Sequence, residues 1–580
     1  MCPKKKGAAG EGFDPIAMEV FNNRLLSVTE DMGNTLVRSS FSTNIKERRD
    51  CSVGLFDARG RLIAQGSHVP LHLGSLLGSA EAVLERYSID DMEEGDAFIL
   101  NDPYMAGGTH MPDVSIVTPV FWDGTVRFFT ANIGHHSDLG GSVPGSISAT
   151  ARSIFEEGLR IPVIRIHRAG MLDVDLMHLI VNNTREPEER ELDLKVQIAT
   201  NERGGVMVHE LVRQMGLDAV ESSIEDILTY TRRRLRNRIA ELKDGDYSFT
   251  SYMDDDGMGG NTVPIQATVR VAGEGLTVDF TSSGGQARGA MNVAKSALHA
   301  TVYYCVKALM DPDLMPNSGM FDTITIYAPE GTITNPRFPA PVGARSITCN
   351  KVARAIIGAF DGLLPKEKVM AAGQDIVPAI VFSGRRDKGA GTFVYLETVG
   401  GGAGAMSDHD GMDTVQVHMT NTSNLPAEAL EHEYALMVDE YAMVEDSGGA
   451  GTHRGGLGIA RQISATQDGV IFSVRSDSHI IGSPGVFGGC DGHTARLVGN
   501  HGRPDEAILG SKVSHIVMKT GDSMRLETPG GGGWGPPQER ALPLIAADVA
   551  GGKISRTAAE RDYGAETVRQ ALADRGASDG

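Results

Sequence analysis

Glycine is unusually frequent in this chain, and it occurs in bursts. The 580 residues include 71 glycines, well above the average usage of about 7%. Bursts such as Gly400-Gly401-Gly402 and the run Gly530 to Gly533 follow no collagen-like period. Because glycine has no Cβ atom, they predict tight turns and places where two backbones pass close together. We expect the run of four in a turn that crosses near another strand, rather than in an anion-binding loop.

The length predicts more than one structural unit, because 580 residues exceed what a single hydrophobic core usually contains. Helical and strand patterns alternate, so the predicted class is mixed α/β (α+β), with several β-sheets, covering helices and more than one subdomain. The expected division is a disordered N-terminus at 1–12, a metal-site catalytic domain at 13–243, a mixed β-rich domain with glycine loops at 244–535, and a C-terminal helical segment at 536–580.

Local patterns predict individual helices and strands. Asp14-Pro15 supplies an N-cap and a first-turn proline for a helix. Segments 52–56 and 61–64 predict a β-hairpin, and Ala97–Leu100 predicts a buried strand. Apolar residues at helical spacing predict a further helix over 224–242. The apolar face predicted for the first helix is Ile16, Val20, Leu25, Val28, Met32 and Leu36.

The charge balance argues against nucleic acid and anionic membranes as partners. The chain has 54 Lys+Arg and 75 Asp+Glu, a net charge of −21. No apolar run approaches the roughly 18 residues of a membrane-spanning helix, and no hydrophobic region follows the basic N-terminus. The five cysteines form no CxxC pair, which argues against a disulfide framework or zinc ribbon. We therefore expect a cytoplasmic protein.

Two polar loops carry the strongest chemical signal. The loop Asn101 to Asp113 follows the predicted strand at 97–100, and its His110 and Asp113 stand three positions apart. The loop Gly134 to Gly141 also follows a strand pattern and brings His135, His136 and Asp138. Imidazole and carboxylate without thiolate suit a catalytic Zn²⁺, Mn²⁺ or Fe²⁺ site better than a structural zinc site. The alternative is that these side chains cap turns and fill the core.

Other residues are weaker candidates. Asp50 could add a carboxylate ligand or simply pair with the neighbouring arginines. His68 and His72 are expected to form a polar pocket wall rather than to bind the ion. Glu157 is interpreted equally well as a general base or as surface charge. No GxxxxGK[ST] phosphate loop and no GxSxG elbow occur.

The ordered motifs together resemble a known family: the B subunits of ATP-dependent hydantoinases and oxoprolinases, related to the alpha subunits of acetone and acetophenone carboxylases. The resemblance covers nearly the whole chain after residue 12. It rests on Asp14-Pro15, Glu47 to Ser52, Pro70 to Ser75, Asn101 to Asp113, His135 to Gly141, Phe155 to Pro162, Asp279 to Thr281, Asp446 to Gly451, Thr528 to Gly533 and Asp562 to Gly564.

The resemblance implies a metal ion held by Asp50, His110, Asp113 and His135. It also implies a partner, an ATP-binding hydantoinase A-type subunit that hydrolyses Mg-ATP. The expected activity is hydrolysis of a C–N bond in a cyclic amide: a hydantoin, N-methylhydantoin, 5-oxoproline or related lactam.

In the expected mechanism, the partner phosphorylates the amide oxygen, and a water activated by the ion attacks the ring carbon. His136 or Asp138 would move protons or orient that water, and Glu157 would act as a base. Two alternatives are an alpha-type subunit of an ATP-dependent ketone carboxylase and a non-catalytic scaffold for the ATPase subunit.

Overall fold

The computed structural model describes residues 14–66, 68–386 and 391–578. The N-terminal segment 1–12, predicted to be disordered, lies outside the described residues. None of the described helices is long and apolar enough to cross a membrane.

The helices are distributed along the whole described chain. Their bounds are α1 Pro15–Ser39, α2 Thr43–Lys46, α3 His72–Arg86, α4 Val174–Val181, α5 Pro187–Met215, α6 Leu217–Ala240, α7 Lys295–Met310, α8 Ser318–Phe321, α9 Arg345–Phe360, α10 Ala427–Glu433, α11 Leu542–Ala550, α12 Arg556–Tyr563 and α13 Ala565–Ser578.

The first sheet is fully antiparallel and has the strand order β2-β1-β5-β4-β3-β6-β7. Its strands are β1 Cys51–Asp57, β2 Leu62–Gln65, β3 Ala97–Leu100, β4 Asp113–Trp122, β5 Thr125–His135, β6 Ile164–Arg168 and β7 Met171–Leu172. The predicted hairpin is confirmed as β1 and β2, and the predicted strand at 97–100 is β3. Helix α3 contacts β1, β4 and β5, whereas α1 contacts β1 and β2, and α5 contacts β4 and β5.

The second sheet has four strands in the order β11-β10-β9-β8, of which β10 and β11 are parallel. Its strands are β8 Gly245–Met253, β9 Val263–Ala272, β10 Gly275–Asp279 and β11 Ile324–Tyr327. Helix α9 packs on β8 and β9 and also contacts α7. All sixteen residues of α9 are buried, so this helix is a central element rather than a surface one.

Two further sheets occupy the C-terminal half, with the orders β13-β12-β16-β19 and β14-β15-β20-β17-β18. Their strands are β12 Ala379–Arg385, β13 Thr392–Thr398, β14 Leu436–Met443, β15 Ile459–Ala465, β16 Val470–Arg475, β17 Arg496–Gly499, β18 Ala507–Leu509, β19 Lys512–Met518 and β20 Ser523–Glu527. Four sheets with covering helices confirm the predicted mixed α/β class.

The largest hydrophobic core joins the first two sheets. It contains Phe98 and Phe129 from the first sheet together with Ile265, Val278 and Ile356 from the second sheet and α9. A domain boundary near residue 244 stays a prediction, and this core includes residues from both sides of that position.

Helix α1 agrees with the predicted periodicity only in its later turns. Asp14 accepts hydrogen bonds from the backbone N–H groups of its first turn, as a cap should. Leu25 and Leu36 are buried, but Ile16 is 75% exposed and Val20 is 51% exposed. The predicted apolar face is therefore wrong in the first turns, because the side of α1 that packs against the core there carries Met18 and Phe21, not Ile16 and Val20.

The run Gly530 to Gly533 lies in a layer of closely packed backbone segments. A Cβ atom on Gly531 would lie 1.9 Å from the carbonyl oxygen of Ala403, and one on Gly455 would lie 1.8 Å from that of Gly531. The N–H of Gly531 donates to the carbonyl of Gly456 at 2.8 Å. The prediction that this run passes close to another backbone segment is confirmed. We call the set Gly402, Gly455, Gly456, Gly489 and Gly530 to Gly533 the glycine layer.

Candidate metal centre

The centre is built where two neighbouring strands of the first sheet meet the loop before them. Asp113 begins β4, His135 ends β5, and the two residues are directly paired across the strands. Directly opposite residues of antiparallel strands place their side chains on the same face of the sheet. His110 lies in the loop three residues before Asp113, so the two polar loops predicted from sequence converge here.

One potential ligand atom from each of His110, Asp113 and His135 lies within 4.8 Å of the other two. The Nε2 atom of His110 is 3.3 Å from Oδ1 of Asp113. These two atoms are buried and have no hydrogen-bond partner among the described residues. Unsatisfied polar atoms in a protein interior are costly, so their mutual approach fits a cation that binds both.

The contacts behind these two side chains leave the facing atoms free. The Nδ1 atom of His110 is 3.2 Å from the carbonyl oxygen of Gly343. Since a carbonyl only accepts, Nδ1 carries the proton and Nε2 keeps its lone pair. The Oδ2 atom of Asp113 accepts from Arg345 at 2.6 Å and from the hydroxyl of Thr109. His110 is thus held in place through Nδ1 and Asp113 through Oδ2, while Nε2 and Oδ1 point toward each other.

Asn44 at the start of α2 fixes the third ring. Its amide nitrogen is 2.9 Å from Nδ1 of His135 and donates to the His135 carbonyl at 2.8 Å. The amide oxygen of Asn44 accepts from Arg48, which sets the orientation of the amide. The N–H of His135 donates to the carbonyl of Asp50 at 3.0 Å.

The electrostatics suit a divalent cation. Burial, with added repulsion from Arg345, lowers the pKa of His110 to about 4, and burial also holds the pKa of His135 well below its usual value. Burial opposes ionisation of Asp113, but neighbouring positive groups, Arg345 among them, hold its pKa well below the usual value. Two neutral imidazoles and one carboxylate are the donor set of Zn²⁺, Mn²⁺ and Fe²⁺ sites. The residues present therefore fit such an ion.

Asp50 approaches the cluster through His72. The Nε2 atom of His72 lies 3.5 Å from Oδ1 of Asp50 and 3.4 Å from Oδ1 of Asp113. Its Nδ1 atom is 3.2 Å from the hydroxyl of Ser52. The sequence interpretation treated His72 as a pocket wall, whereas the structure places it between two carboxylates at the first turn of α3. No local signal distinguishes His72 from His68, since both flank the same Val69-Pro70-Leu71 segment.

His136 and Asp138, by contrast, bind other parts of the protein. The Nε2 atom of His136 is 2.9 Å from the amide oxygen of Gln197 in α5. Asp138 accepts from the side chain of Arg185 at 2.6 Å and from backbone N–H groups of its own loop. Burial and then Arg190 lower the pKa of His136 to about 4. These contacts support α5 and the loop, and they bring neither side chain into the His110–Asp113–His135 cluster.

Glu157 does not contact the cluster directly but binds the backbone segment that contacts His110. It is 1% exposed, and its two carboxylate oxygens accept from the N–H groups of Gly343 at 2.7 Å and Val342 at 3.1 Å. The same Gly343 accepts from His110 through its carbonyl. Glu157 therefore fixes the backbone segment that determines the orientation of His110. Neither Gly343 nor Arg345 was singled out from sequence, since both lie more than 200 positions after His110 without a local motif.

Fold and site together define a mixed α/β protein with a buried His/Asp candidate metal centre. The sequence model of the hydantoinase B/oxoprolinase family matches residues 14–537. The chain therefore belongs to the hydantoinase B/oxoprolinase family, which confirms the resemblance expected from sequence.

Two relatives illustrate the range of this family. The chain is 32% identical over 568 residues to a protein of Pseudomonas sp. named as the B component of a D-/L-hydantoinase, covering 95% of each chain. It is also 32% identical over 572 residues to 5-oxoprolinase PfmaA of Pestalotiopsis fici, covering 95% of this chain and 43% of that protein. The chain thus spans less than half the length of this 5-oxoprolinase.

Two solved structures share the fold. The ATP-dependent caprolactamase of Pseudomonas jessenii superposes with a TM-score of 0.88 at 28% identity, covering 96% of each chain. An acetone carboxylase superposes with a TM-score of 0.85 at 18% identity, covering 97% of this chain and 84% of the other. The second similarity concerns the fold alone.

Proposed function

We propose that this chain is the metal-dependent hydrolytic subunit of an ATP-dependent cyclic amidase that opens a hydantoin or lactam ring. The observation that carries this proposal is the buried cluster of His110, Asp113 and His135, in which two potential ligand atoms face each other and neither has a hydrogen-bond partner among the described residues. Membership of the hydantoinase B/oxoprolinase family supports the reaction class, and the similar caprolactamase and 5-oxoprolinase support cyclic amides as substrates.

The chemistry of such rings explains why ATP would be needed. A five-membered cyclic amide is unstrained and resonance-stabilised, so its opening at neutral pH is slow. Phosphorylation of the amide oxygen makes the ring carbon electron-poor, so that water can add to it. The C–N bond then breaks as the ring nitrogen takes up a proton and leaves, and the resulting acyl phosphate is hydrolysed to a carboxylate and phosphate. A nucleophile in this chain then needs to attack only an activated carbon.

The partner in this proposal is a separate A-type subunit that binds ATP with Mg²⁺. The sequence of this chain contains no GxxxxGK[ST] loop. The similar Pseudomonas protein is named as one component of a hydantoinase, whereas the similar 5-oxoprolinase is a single chain more than twice as long. A division of ATP hydrolysis and ring hydrolysis between two chains accounts for both facts.

In the proposed site, His110, Asp113 and His135 hold a divalent ion, and Asp50 is the fourth candidate ligand. Bound there, the ion supplies a Lewis acid and lowers the pKa of water to about 7, as zinc does elsewhere. Arg345 holds Asp113 through its rear oxygen. His136, Asp138 and Glu157, expected from sequence to act in proton transfer, are proposed here as positioning residues because their polar atoms already bind Gln197, Arg185 and the 342–343 backbone.

The test is to co-express the chain with its A-type partner and measure bound metal by mass spectrometry. ATP hydrolysis is then measured with hydantoin, 5-oxoproline, caprolactam, and acetone plus bicarbonate. We expect a cyclic amide to stimulate ATP hydrolysis and ring opening, and His110→Ala to lose both the metal and ring opening. His209→Ala is the matched control, because His209, on α5, binds the carbonyl of Phe121 outside the cluster.

The rival functions give different results in the same experiment. A response only to acetone with bicarbonate would replace this proposal with a ketone carboxylase, whose fold the chain shares. Unchanged coupled activity in His110→Ala and Asp113→Ala would indicate a non-catalytic scaffold. A purified complex without bound metal would refute the proposal outright.

A further inference from the structure

Arg475, at the end of β16, is a buried arginine that forms no ion pair with any described carboxylate. Its side chain is largely inaccessible, with 4% of the residue exposed. The Nη1 atom donates to the hydroxyl of Ser346 at 2.6 Å, while the Nε atom has no hydrogen-bond partner among the described residues. A buried charge without a counter-charge is costly, so a protein that keeps one usually has a ligand for it.

Two other buried arginines beside the candidate metal centre are already paired. Arg345 binds Asp113 at 2.6 Å, and Arg48 lies 3.9 Å from Asp50. The two arginines therefore balance the two carboxylates. The positive charge of Arg475 has no carboxylate among the described residues to balance it. Burial, and next repulsion from Arg345, lower the pKa of Arg475 to about 9. A divalent ion in the cluster would add two further positive charges to this surplus.

Arg475 has neighbours that belong to the surroundings of the cluster and to the wall of a large cavity. Its hydrogen-bond partner Ser346 follows Arg345 directly in α9. On the other side, Arg475 stands directly opposite Lys512 in the pairing of β16 with β19. Lys512 lines a cavity of about 1190 Å³. Because directly opposite residues share a face of the sheet, Arg475 has a residue of the cavity wall as its neighbour on one strand and Ser346, next to Arg345, as its hydrogen-bond partner.

We propose that Arg475 binds the phosphoryl group of an activated amide substrate at the metal centre. This inference rests on the proposed function. The planar guanidinium group matches the oxygens of a phosphoryl group through two parallel hydrogen bonds. A dianionic phosphoryl group also balances the buried positive surplus better than a singly charged carboxylate. Arg475 thereby selects substrates that have been phosphorylated, which keeps ring hydrolysis coupled to ATP.

The test uses inorganic phosphate as the probe and the full-length, metal-loaded chain. Phosphate affinity is measured by titration calorimetry, and the Tm is measured with and without phosphate, with acetate as the carboxylate probe. Arg475→Met removes the positive charge but keeps a long, unbranched side chain. Arg475→Lys keeps the positive charge but lacks the planar guanidinium group. Arg461→Lys is the matched control, since Arg461 is also buried but pairs with Glu397 at 3.1 Å.

We expect phosphate to raise the Tm of the wild type, and Arg475→Met to lose about tenfold or more in phosphate affinity. Without phosphate, the Tm of Arg475→Met should equal or exceed that of the wild type, because an unpaired buried charge has been removed. Arg475→Lys should retain part of the affinity, and Arg461→Lys all of it. Since a merely structural arginine would lower the Tm on removal, this pair of readouts separates the two roles.

Three results would overturn the inference: no effect of phosphate on the wild type, equal phosphate binding by Arg475→Met, or an equal effect of acetate. Its failure is distinguishable from failure of the proposed function. If the wild-type complex binds metal and opens a cyclic amide while Arg475→Met binds phosphate normally, only the inference on Arg475 is wrong. If the complex binds no metal, the proposed function is wrong whatever phosphate does.

Discussion

At the residue scale, the candidate centre depends on side chains that are each fixed through one atom and free at the other. The carbonyl of Gly343 keeps the proton on Nδ1 of His110, and Arg345 with Thr109 occupies the rear oxygen of Asp113. Such supporting contacts typically determine metal affinity almost as strongly as the ligands themselves. They are therefore good positions at which to test the site without removing a ligand.

Thr109→Val should weaken metal binding while leaving the fold intact. The substitution removes the hydroxyl that donates to Oδ2 of Asp113 but keeps the branched shape. Loss of such a supporting contact typically lowers metal affinity about 10- to 100-fold, which a competition titration with a chelating dye measures. Thr301→Val is the control, because the Thr301 hydroxyl donates to the Ala297 carbonyl within α7. Equal metal affinity in the two variants would contradict the assignment.

Glu157 should make stability fall as the pH rises. Burial raises its pKa to about 8 from an ordinary value of 4.5, against two backbone hydrogen bonds that favour the ionised form. The folded protein therefore binds a proton that the unfolded chain releases above pH 4.5. The stabilisation is complete below pH 4.5 and is lost as the pH rises through about 8, by at most about 1.4 kcal/mol per pH unit.

The measurement is the free energy of unfolding, from urea titrations between pH 5 and 8, for the wild type and Glu157→Gln. Glutamine is uncharged at every pH and, like the protonated acid, offers one good acceptor to the two backbone N–H groups. The informative quantity is therefore the slope with pH, which should be flatter in the variant. Identical slopes would show that Glu157 does not titrate in this range.

The sequence predicted the centre itself better than its surroundings. His110, Asp113 and His135 belong to two polar segments that each come at the end of a strand pattern, and the antiparallel pairing of β4 with β5 brings these segments to the same end of the sheet. The contributions of Arg345 and Arg475 could not be predicted from the sequence. Both residues lie 232 or more positions after Asp113, and no local sequence pattern indicates a contact over such a distance. Whether Asp50 binds the ion stays a prediction.

At the element scale, helices with one buried and one exposed face were recognisable, and a fully buried helix was not. Helix α6 covers the predicted helical segment 224–242 as far as its end at Ala240, and Ile224, Leu228 and Leu235 on its apolar face are buried. Helix α9 has no exposed face, since all sixteen of its residues are buried, so it lacks the 3.6-residue polar–apolar alternation that marks a surface helix. The same helix supplies Arg345 and Ser346, which explains why this side of the site was missed.

The glycine layer should tolerate no side chain. In Gly531→Ala, the new Cβ atom would lie 1.9 Å from the Ala403 carbonyl oxygen. Its nearest neighbours, in Ala403 and Gly404, are all backbone atoms, which cannot rotate away as a side chain could. Overpacking of this kind typically costs about 1 to 3 kcal/mol and sometimes more. Gly285→Ala is the control, because nothing lies within 4 Å of a Cβ there. Thermal unfolding should show a clearly lower Tm only for Gly531→Ala.

At the scale of the whole molecule, the first two sheets share one hydrophobic core and the last two share another, and each core combines distant parts of the chain. Phe98 of the first sheet and Ile356 of α9 belong to the same core, and the candidate centre lies beside it. A ligand that binds only the folded state stabilises that state by mass action, by about 2.7 kcal/mol at a concentration 100 times its Kd. Occupation of the centre should therefore be visible in global unfolding.

Removal of the metal should lower the Tm of the purified protein. The comparison is thermal unfolding before and after dialysis against a chelator, followed by readdition of Zn²⁺, Mn²⁺ or Fe²⁺. His110→Ala should show no such response, because the ligand set is incomplete. A chelator effect of the same size in His110→Ala would place the ion elsewhere in the protein.

The pairing of Asp113 with Arg345 spans 232 positions, and this separation has a consequence for biosynthesis. During translation, the segments that carry His110, Asp113 and His135 leave the ribosome long before α9 exists. Until then, Asp113 has no permanent counter-charge, and any early ion would be exposed to exchange with the surrounding pool. Loop closure over such a distance is entropically costly and slow. We therefore expect the candidate centre of the nascent protein to hold an ion only after α9 has been synthesised and packed.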